Sequence, residues 1–374
     1  MKGKFYDIHQ TMLGEEHKVD RHFVREKRML LLMREYVLGG AETQFQYLIE
    51  YAESHQWKLD VVIEHDLKKE DGTLKKAAEK MVNVRFYELH GDRVQVLAHM
   101  IRNIFRVKYR AVLIYYPFQL MLAPLIRMFG IPVVYSERVD ASGIAGNPYF
   151  QRYLKSCRHI TANSRYAQRE LERLTGQRVT LIRNGKPAVA MLPQKEQRKI
   201  TRILVPARIA PPKNQMLPLT YLKNCSDFDG KIIFAGMAED RAYYEKLRQF
   251  VRKHGLQDKV EFLGYVDDME QEYRKADLIL LPSFAEGTPN VVLEAYAYGR
   301  PVIVSDINVE QDIVPDSNLR FRVNDPAGIG ECIQYIQEMP DETYRQLIET
   351  NRRTVIRDYS IEKMAESFYR ILSN

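Results

Sequence analysis

Short apolar runs recur along this chain, and most of them lack polar alternation. Met29–Met33, Leu59–Ile63, Val84–Tyr87, Ala111–Tyr115, Ile131–Tyr135 and Val179–Ile182 form a first series. Arg202–Pro206, Ile232–Ala235, Val260–Leu263, Leu278–Leu281 and Val302–Val304 form a second. Runs of this length predict strands buried on both faces of a parallel sheet, since a strand with one wet face would alternate. Stretches of helical period lie between them. One opens at Gly39-Gly40-Ala41-Glu42 and repeats apolar residues at Phe45, Leu48, Ile49 and Ala52. Another follows Ser164, a suitable N-cap after the run that begins at His159, and continues through Leu171. Later ones span Ala327–Met339 and Tyr359–Leu372. Alternating strands and helices predict the α/β class with parallel sheets.

The pattern lapses in two places. Residues 1–28 are charged and without a clear period, and read as an extension ahead of the first strand. Residues 186–200, KPAVAMLPQKEQRKI, combine prolines with mixed charge, as domain linkers do. A length of 374 residues leaves room for two substantial cores. The expected division is an extension at 1–28, a first Rossmann-like domain at 29–188, a second at 189–358, and a terminal helical segment at 359–374.

Composition narrows the class. Hydrophobic residues make up 45% and charged residues 28%, a globular balance, and no apolar run approaches the ~18 residues of a membrane span. The opening MKGKFYDIHQ has no apolar core and so does not read as a signal peptide. Cys157, Cys225 and Cys332 are odd in number and far apart, which suits a reducing cytoplasm and gives no metal-ligand spacing. The net charge of +7 is uneven: residues 85–184 carry 16 Lys and Arg against 6 Asp and Glu. Such a surplus can meet a phosphorylated substrate, an anionic membrane surface or nucleic acid. No zinc finger, RRM-like aromatic motif or heptad basic region accompanies it, so nucleic acid is not expected as a partner. The helical stretch Val94–Val107 sets Val94, Leu97, Ile101, Ile104 and Phe105 to one side with arginines around them. It reads either as a core-facing helix with a solvated basic side or as a membrane-surface helix.

The densest chemistry lies in Ala276–Asp306, ADLILLPSFAEGTPNVVLEAYAYGRPVIVSD. An apolar run ends at Leu281 and a loop of Pro, Ser and Gly follows. Asn290 is placed to cap a helix that stops at Gly299, and a second apolar run completes one βαβ unit. Glu286 sits on the loop at the carboxyl end of a strand, where open α/β sheets hold ligands, and Glu294 lies one turn into the helix. Loop amides and a helix N-terminus favour phosphate, whereas carboxylates accept hydrogen bonds from hydroxyls. Together they suit a phosphorylated, polyhydroxylated ligand such as a nucleotide sugar. Two ordinary solvated glutamates are the competing reading for the pair alone.

This stretch resembles the signature of the retaining glycosyltransferases of family 4 (glycosyl transferases group 1) in both glutamates, in EGTPNVVLEA and in the G-R-P-V-I exit. The resemblance covers nearly the whole chain after Arg28. It implies an α/β GT-B fold, two Rossmann-like domains facing across a cleft. It implies that Glu294 binds the donor's ribose hydroxyls and Glu286 the hydroxyls of the transferred sugar. The backbone of Gly287, Thr288, Pro289 and Asn290 would line the phosphate end. Gly39 and Gly40, in the GGAE motif, would approach the donor phosphates, as a glycine pair between strand and helix allows. Arg208 and Lys213 match the R-x4-K pair that binds pyrophosphate, with Ala207 where the family has glycine. Gly236 marks a strand-end turn, and Gly264-Tyr265-Val266 would present backbone to the nucleotide base. Family enzymes often carry a histidine at the tip of the Ile131–Tyr135 strand, but here Glu137 and Arg138 stand there. Arg138 could bind a phosphate and Glu137 could accept an acceptor proton, or the two could form a structural ion pair. Asp227-Phe228-Asp229 precedes a strand and reads as a polar turn, with no metal.

The expected activity is a retaining, metal-independent glycosyltransferase using a nucleotide sugar, by family precedent a UDP-sugar. Its acceptor would be a saccharide or lipid-linked saccharide in cell-surface polysaccharide synthesis. Glu286, Arg208, Lys213 and one of Arg138 or Glu137 are the catalytic candidates; no cofactor is expected. The setting would be cytoplasmic, with peripheral contact to an anionic membrane surface. The rival readings are a nucleotide-sugar epimerase or phosphorylase of the same fold, and a non-catalytic nucleotide-sugar-binding scaffold.

Overall fold

A computed structural model describes residues 6–7, 28–33, 40–63, 80–88, 109–192, 199–225, 227–307 and 313–373. Gly39, the Val94–Val107 stretch and most of the 1–28 extension lie outside them. The chain forms two compact units, residues 1–185 with 361–374, and residues 186–360.

The first unit holds β1 (Tyr6–Asp7), β2 (Met29–Met33), β3 (Leu59–Ile63), β4 (Val84–Glu88), β5 (Ala111–Ile114), β6 (Val133–Glu137), β7 (His159–Ala162) and β8 (Val179–Leu181). Their order is β1-β4-β3-β2-β5-β6-β7-β8, and every pair is parallel except β1 with β4. The exception sits in the stretch read as a patternless extension, where Tyr6 pairs with Glu88 and Asp7 with Tyr87. β2, β3, β5 and β6 are buried at every position, which explains the unbroken hydrophobicity of β2 and β5; the polar exceptions, Asp60 in β3 and Ser136 and Glu137 in β6, are buried as well. The pleat divides β2 between two cores: Met29, Leu31 and Met33 pack on one face, Leu30 and Leu32 on the other.

The helix Ile361–Ser373 also packs into this unit, burying Met364, Ala365, Phe368 and Leu372 against the side that holds Phe45. Phe45 and Phe368 have ring centroids 6.1 Å apart. At the return, Gly185 approaches Ile361 so closely that a Cβ would stand 2.8 Å from the Ile361 Cα, so only glycine fits. At the opposite end of the strands Arg28 is buried, with its Nε 2.6 Å from Asp60 Oδ1. Tyr109 donates to Asp60 Oδ2, and Arg28 Nη2 donates to the Leu59 and Asn83 carbonyls, so no charge there is left unpaired.

The second unit is a wholly parallel sheet of β9 (Arg202–Pro206), β10 (Lys231–Ala235), β11 (Val260–Gly264), β12 (Leu278–Leu281), β13 (Val302–Ser305) and β14 (Arg320–Phe321), in the order β11-β10-β9-β12-β13-β14. One core built on these strands and their helices fills it. The strand order runs outward from β9 in one direction and from β12 in the other. Loops leaving these two neighbours therefore diverge above and below the sheet and open a crevice at their carboxyl ends. In the first unit the same reversal falls between β2 and β5.

Candidate active site

The reversal point of the second unit brings together residues 73 positions apart. The loop after β9 carries Arg208 and Lys213, and the loop after β12 carries Glu286. Lys213 Nζ donates to Glu286 Oε1 at 2.5 Å, and the two side chains are only 23% and 13% exposed. The loops are also joined through backbone, Phe284 N–H to the Pro212 carbonyl at 2.9 Å. Ser283 Oγ donates to the same Glu286 oxygen at 2.7 Å, and Ser283 is anchored in turn by Ser305 Oγ on its carbonyl. Glu286 Oε2 takes no hydrogen bond from the described residues. The carboxylate is thus fixed through one oxygen and presents the other.

Arg208 lies at the rim. Its guanidinium pairs with Glu239, both about half exposed, and the buried Gln215 holds its carbonyl through Nε2 at 2.8 Å. Arg208, Lys213, Glu239 and Arg241 share a pocket of about 480 Å³ with Ala210, Pro211, Pro212 and Asp240. That size falls within the usual range for a small-molecule site. Three cations on this wall, partly matched by acids, make it receptive to a polyanion that displaces the acids. Gly236, on the next loop, has its Cβ direction filled by the Ala207 carbonyl at 2.1 Å. Its glycine is therefore needed to bring the loops after β9 and β10 together. Gly236 N–H also donates to the Gly264 carbonyl at 2.8 Å, placing Tyr265 and Val266 beyond the end of the adjacent strand, Tyr265 53% exposed.

The loop 282–289 buries Gly287, Thr288 and Pro289 and leads into the helix Asn290–Tyr298. Asn290 is not the cap: Pro289 occupies that position and Asn290 is the first helical residue, because the extended backbone at Pro289 already turns the chain. Glu294 is partly exposed. Its Oε1 accepts from Lys186 Nζ at 2.5 Å and its Oε2 from Tyr273 Oη at 2.8 Å. Burial and the Glu294 charge push the Tyr273 hydroxyl well above its ordinary range, so it stays a donor. Lys186, Tyr273, Ser283 and Glu239 are not among the site residues expected from sequence. Ser283 lies three residues before Glu286 and was within reach of the motif, whereas nothing in local sequence joins Lys186 to a residue 108 positions away.

In the first unit Gly40 opens the helix Gly40–Ser54. Glu42 of the same motif is buried and accepts hydrogen bonds from Tyr116 Oη at 2.8 Å and Tyr115 Oη at 3.4 Å. It ties the helix to the end of β5. Glu137 and Arg138 turn inward. Glu137 accepts from Tyr135 Oη and from the backbone N–H groups of Arg138 and Val139, and burial raises its pKa against the pull of these bonds. Arg138 donates to the Ile182 carbonyl and to Asn184 Oδ1, with its guanidinium 5.8 Å from the Phe45 ring centre and 6.0 Å from that of Phe368. Burial lowers its pKa to about 10. The mutual ion pair weighed from sequence is not formed: Glu137 is held by Tyr135 and two backbone N–H groups, and the buried Arg138 by Ile182 and Asn184, with the Phe45 and Phe368 rings together beside its guanidinium. Asp229 of the D-F-D run pairs with Lys199 on the surface, and Phe228 is buried. Among the described residues no group of three or more His, Cys, Asp and Glu is arranged to hold a metal ion.

Two parallel-sheet α/β units, the second with cations and carboxylates meeting at its strand reversal, define a protein of two Rossmann-like units. Residues 38–186 match the family described as Glycosyltransferase Family 4, and residues 201–338 that described as Glycosyl transferases group 1. The chain belongs to this glycosyltransferase family, and its fold is GT-B. The O-antigen chain mannosyltransferase RfbU of Salmonella typhimurium is 28% identical over 197 residues, 51% of this chain and 54% of that one. A Campylobacter jejuni α-1,4-N-acetyl-D-galactosaminyltransferase acting on a diNAcBac-PP-undecaprenol-linked saccharide is 26% identical over 165 residues, 42% and 44% of the two chains. The alignments span about half or less of these relatives. HepE of Anabaena, solved with UDP and glucose, superposes with a TM-score of 0.77 at 19% identity, covering 93% of this chain and 99% of that one. The outer-core galactosyltransferase WaaB in its apo form gives 0.70 at 15% identity, over 92% and 99%.

Proposed function

We propose that this protein is a retaining glycosyltransferase that uses no metal and moves a sugar from a UDP-sugar to a saccharide or lipid-linked acceptor of cell-surface polysaccharide. The observation that carries the reading is the meeting of Lys213 and Glu286 at the strand reversal, with Arg208 on the same loop. The donor diphosphate takes Arg208 and Lys213, the transferred sugar takes the open oxygen of Glu286, and the ribose takes Glu294. The bond from the anomeric carbon to the diphosphate oxygen breaks as an acceptor oxygen bonds to the same face, and the acceptor proton passes to the diphosphate. Charge growing on the leaving group is met by cations already in place, which is the most effective form of electrostatic catalysis. The relatives named for O-antigen and undecaprenol-linked saccharides support the acceptor class, and the UDP complexes of HepE support the donor.

The test is turnover of a panel of UDP-, GDP- and ADP-sugars with lipid-linked and free saccharide acceptors, with and without EDTA, reading product anomer by NMR. An α-linked product from an α-linked donor at an unchanged rate in EDTA is expected. A β-linked product, or loss of rate in EDTA, overturns the mechanism; sugar isomerised without acceptor points to an epimerase instead. We also assign the first unit to the membrane surface. Its basic surplus and the exposed Phe118, Met121 and Met128 support this, and among the described residues no helix is long and apolar enough to cross a bilayer. Flotation with phosphatidylglycerol vesicles but not with neutral ones is the expected result.

A further inference from the structure

We propose that Lys186 is a positioning residue: it holds the Glu294 carboxylate ready for a vicinal diol, and so sets the protein's preference for ribonucleotide over deoxyribonucleotide. The proposal rests on the assignment of Glu294 to the donor ribose.

Lys186 is 6% exposed, and Glu294 is the one partner its ammonium has among the described residues. Burying an ammonium is costly unless a paired anion offsets it, and a hydrocarbon side chain would fill the same space more cheaply. A lysine there needs a use. Its backbone is pinned where the chain enters the second unit: the N–H donates to the Tyr359 carbonyl at 2.6 Å, and Lys186 bridges Ser360 in parallel. The ammonium therefore comes from a fixed Cα. Tyr273 comes from a different element, the helix Met269–Lys275, and is fully buried. Together they fix one lone pair on each Glu294 oxygen, at 2.5 and 2.8 Å.

A carboxylate oxygen accepts about two hydrogen bonds, so one acceptor position per oxygen remains. Glu294 keeps 32% of its side chain exposed, so these positions are reachable. Two neighbouring acceptors with fixed orientation match two neighbouring hydroxyls. Without Lys186 the carboxylate could turn about its terminal torsion, and a diol would have to order it on binding.

The experiment measures binding of UDP and 2′,3′-dideoxy-UDP by calorimetry to the wild type and to K186M, K186R, Y273F and E294Q. Wild type is expected to prefer UDP by roughly 10- to 100-fold, the scale of hydrogen bonds to a charged group. K186M should cut that preference to below ~3-fold through UDP alone, leaving the dideoxy analogue within ~2-fold, and K186R should restore most of it. Equal weakening of both ligands by K186M, or an unchanged ratio, overturns the proposal, since a lysine that merely stabilises the fold has no reason to sense ribose hydroxyls. Should K186M not fold, Y273F serves: it removes the other fixed donor and should lower the ratio about 5-fold, and an unchanged ratio sinks the idea. E294Q separates this failure from that of the site reading. A wild-type ratio in E294Q refutes the ribose assignment itself, whereas a lost ratio in E294Q beside an intact one in K186M refutes only the role of Lys186.

Discussion

Glu286 commits one carboxylate oxygen to Lys213 and Ser283 and leaves the other open, which separates binding from chemistry at the scale of one side chain. In the proposed function its alanine variant loses the group that holds the transferred sugar but keeps both diphosphate cations. Glu286→Ala should therefore slow transfer by about 10²- to 10³-fold while UDP affinity stays within a few-fold, as for removal of one preorganised group. Wild-type turnover in that variant removes the assignment. Arg208 behaves in the opposite way, since a bond from a cation to the diphosphate is lost. Arg208→Ala should cost about 1.5–3 kcal/mol of UDP affinity by calorimetry. Glu239→Ala releases Arg208 from a half-exposed pair and should tighten UDP by no more than ~1 kcal/mol. A weakening there would mean that Glu239 itself holds the ligand. Arg208, Lys213 and the two glutamates were legible in sequence because each sits inside a local motif. Lys186 and Tyr273 were not, because their role exists only after residues from three elements are brought together.

At the scale of elements, strands buried on both faces announce themselves: β2, β3 and β9 begin and end where their apolar runs do. Amphipathic surface elements do not. The helix Asp341–Asp358 buries few residues, Ile348 and Val355 among them, and its polar sequence concealed it, and the two-residue β1 is too short to carry a period. Contacts between elements were hidden as well. Glu53, in the last turn of the helix Gly40–Ser54, accepts the N–H groups of Val82, Asn83 and Val84 at 2.9, 2.8 and 3.0 Å and so anchors the start of β4. Partial burial would raise its pKa, but the three amide bonds outweigh that and hold it below its ordinary 4.5. A folded-state pKa below the unfolded one gives a contribution that is complete above about pH 4.5 and fades as pH falls through the folded value. Glu53→Gln should therefore lower the urea midpoint at pH 7, and the gap to wild type should close as pH drops toward 3. A gap that stays constant with pH would show that the amide bonds do not depend on the charge.

For the whole molecule, the division into residues 1–185 with 361–374 and residues 186–360 places Arg208, Lys213, Glu286, Glu294, Lys186 and Tyr273 in one unit. In the proposed function, that concentration makes nucleotide binding a property of the second unit and leaves the acceptor to the basic first. Ligand that binds the native state stabilises by RT ln(1 + [L]/Kd), about 2.7 kcal/mol at a hundredfold excess over Kd. For a unit of this size that corresponds to a shift of roughly 5–10 °C in its melting transition. UDP should raise the transition of the second unit by that amount. In native-state hydrogen exchange it should slow residues 208–215 and 283–298 while leaving the strands of the first unit unchanged. UDP protection centred on β2, β5 and β6 instead would move the donor site to the other unit and dissolve the pairing of diphosphate with Arg208 and Lys213. Protection confined to the second unit leaves the two strand reversals with separate tasks, the β9/β12 reversal holding the activated sugar and the β2/β5 reversal receiving the chain to which it is added.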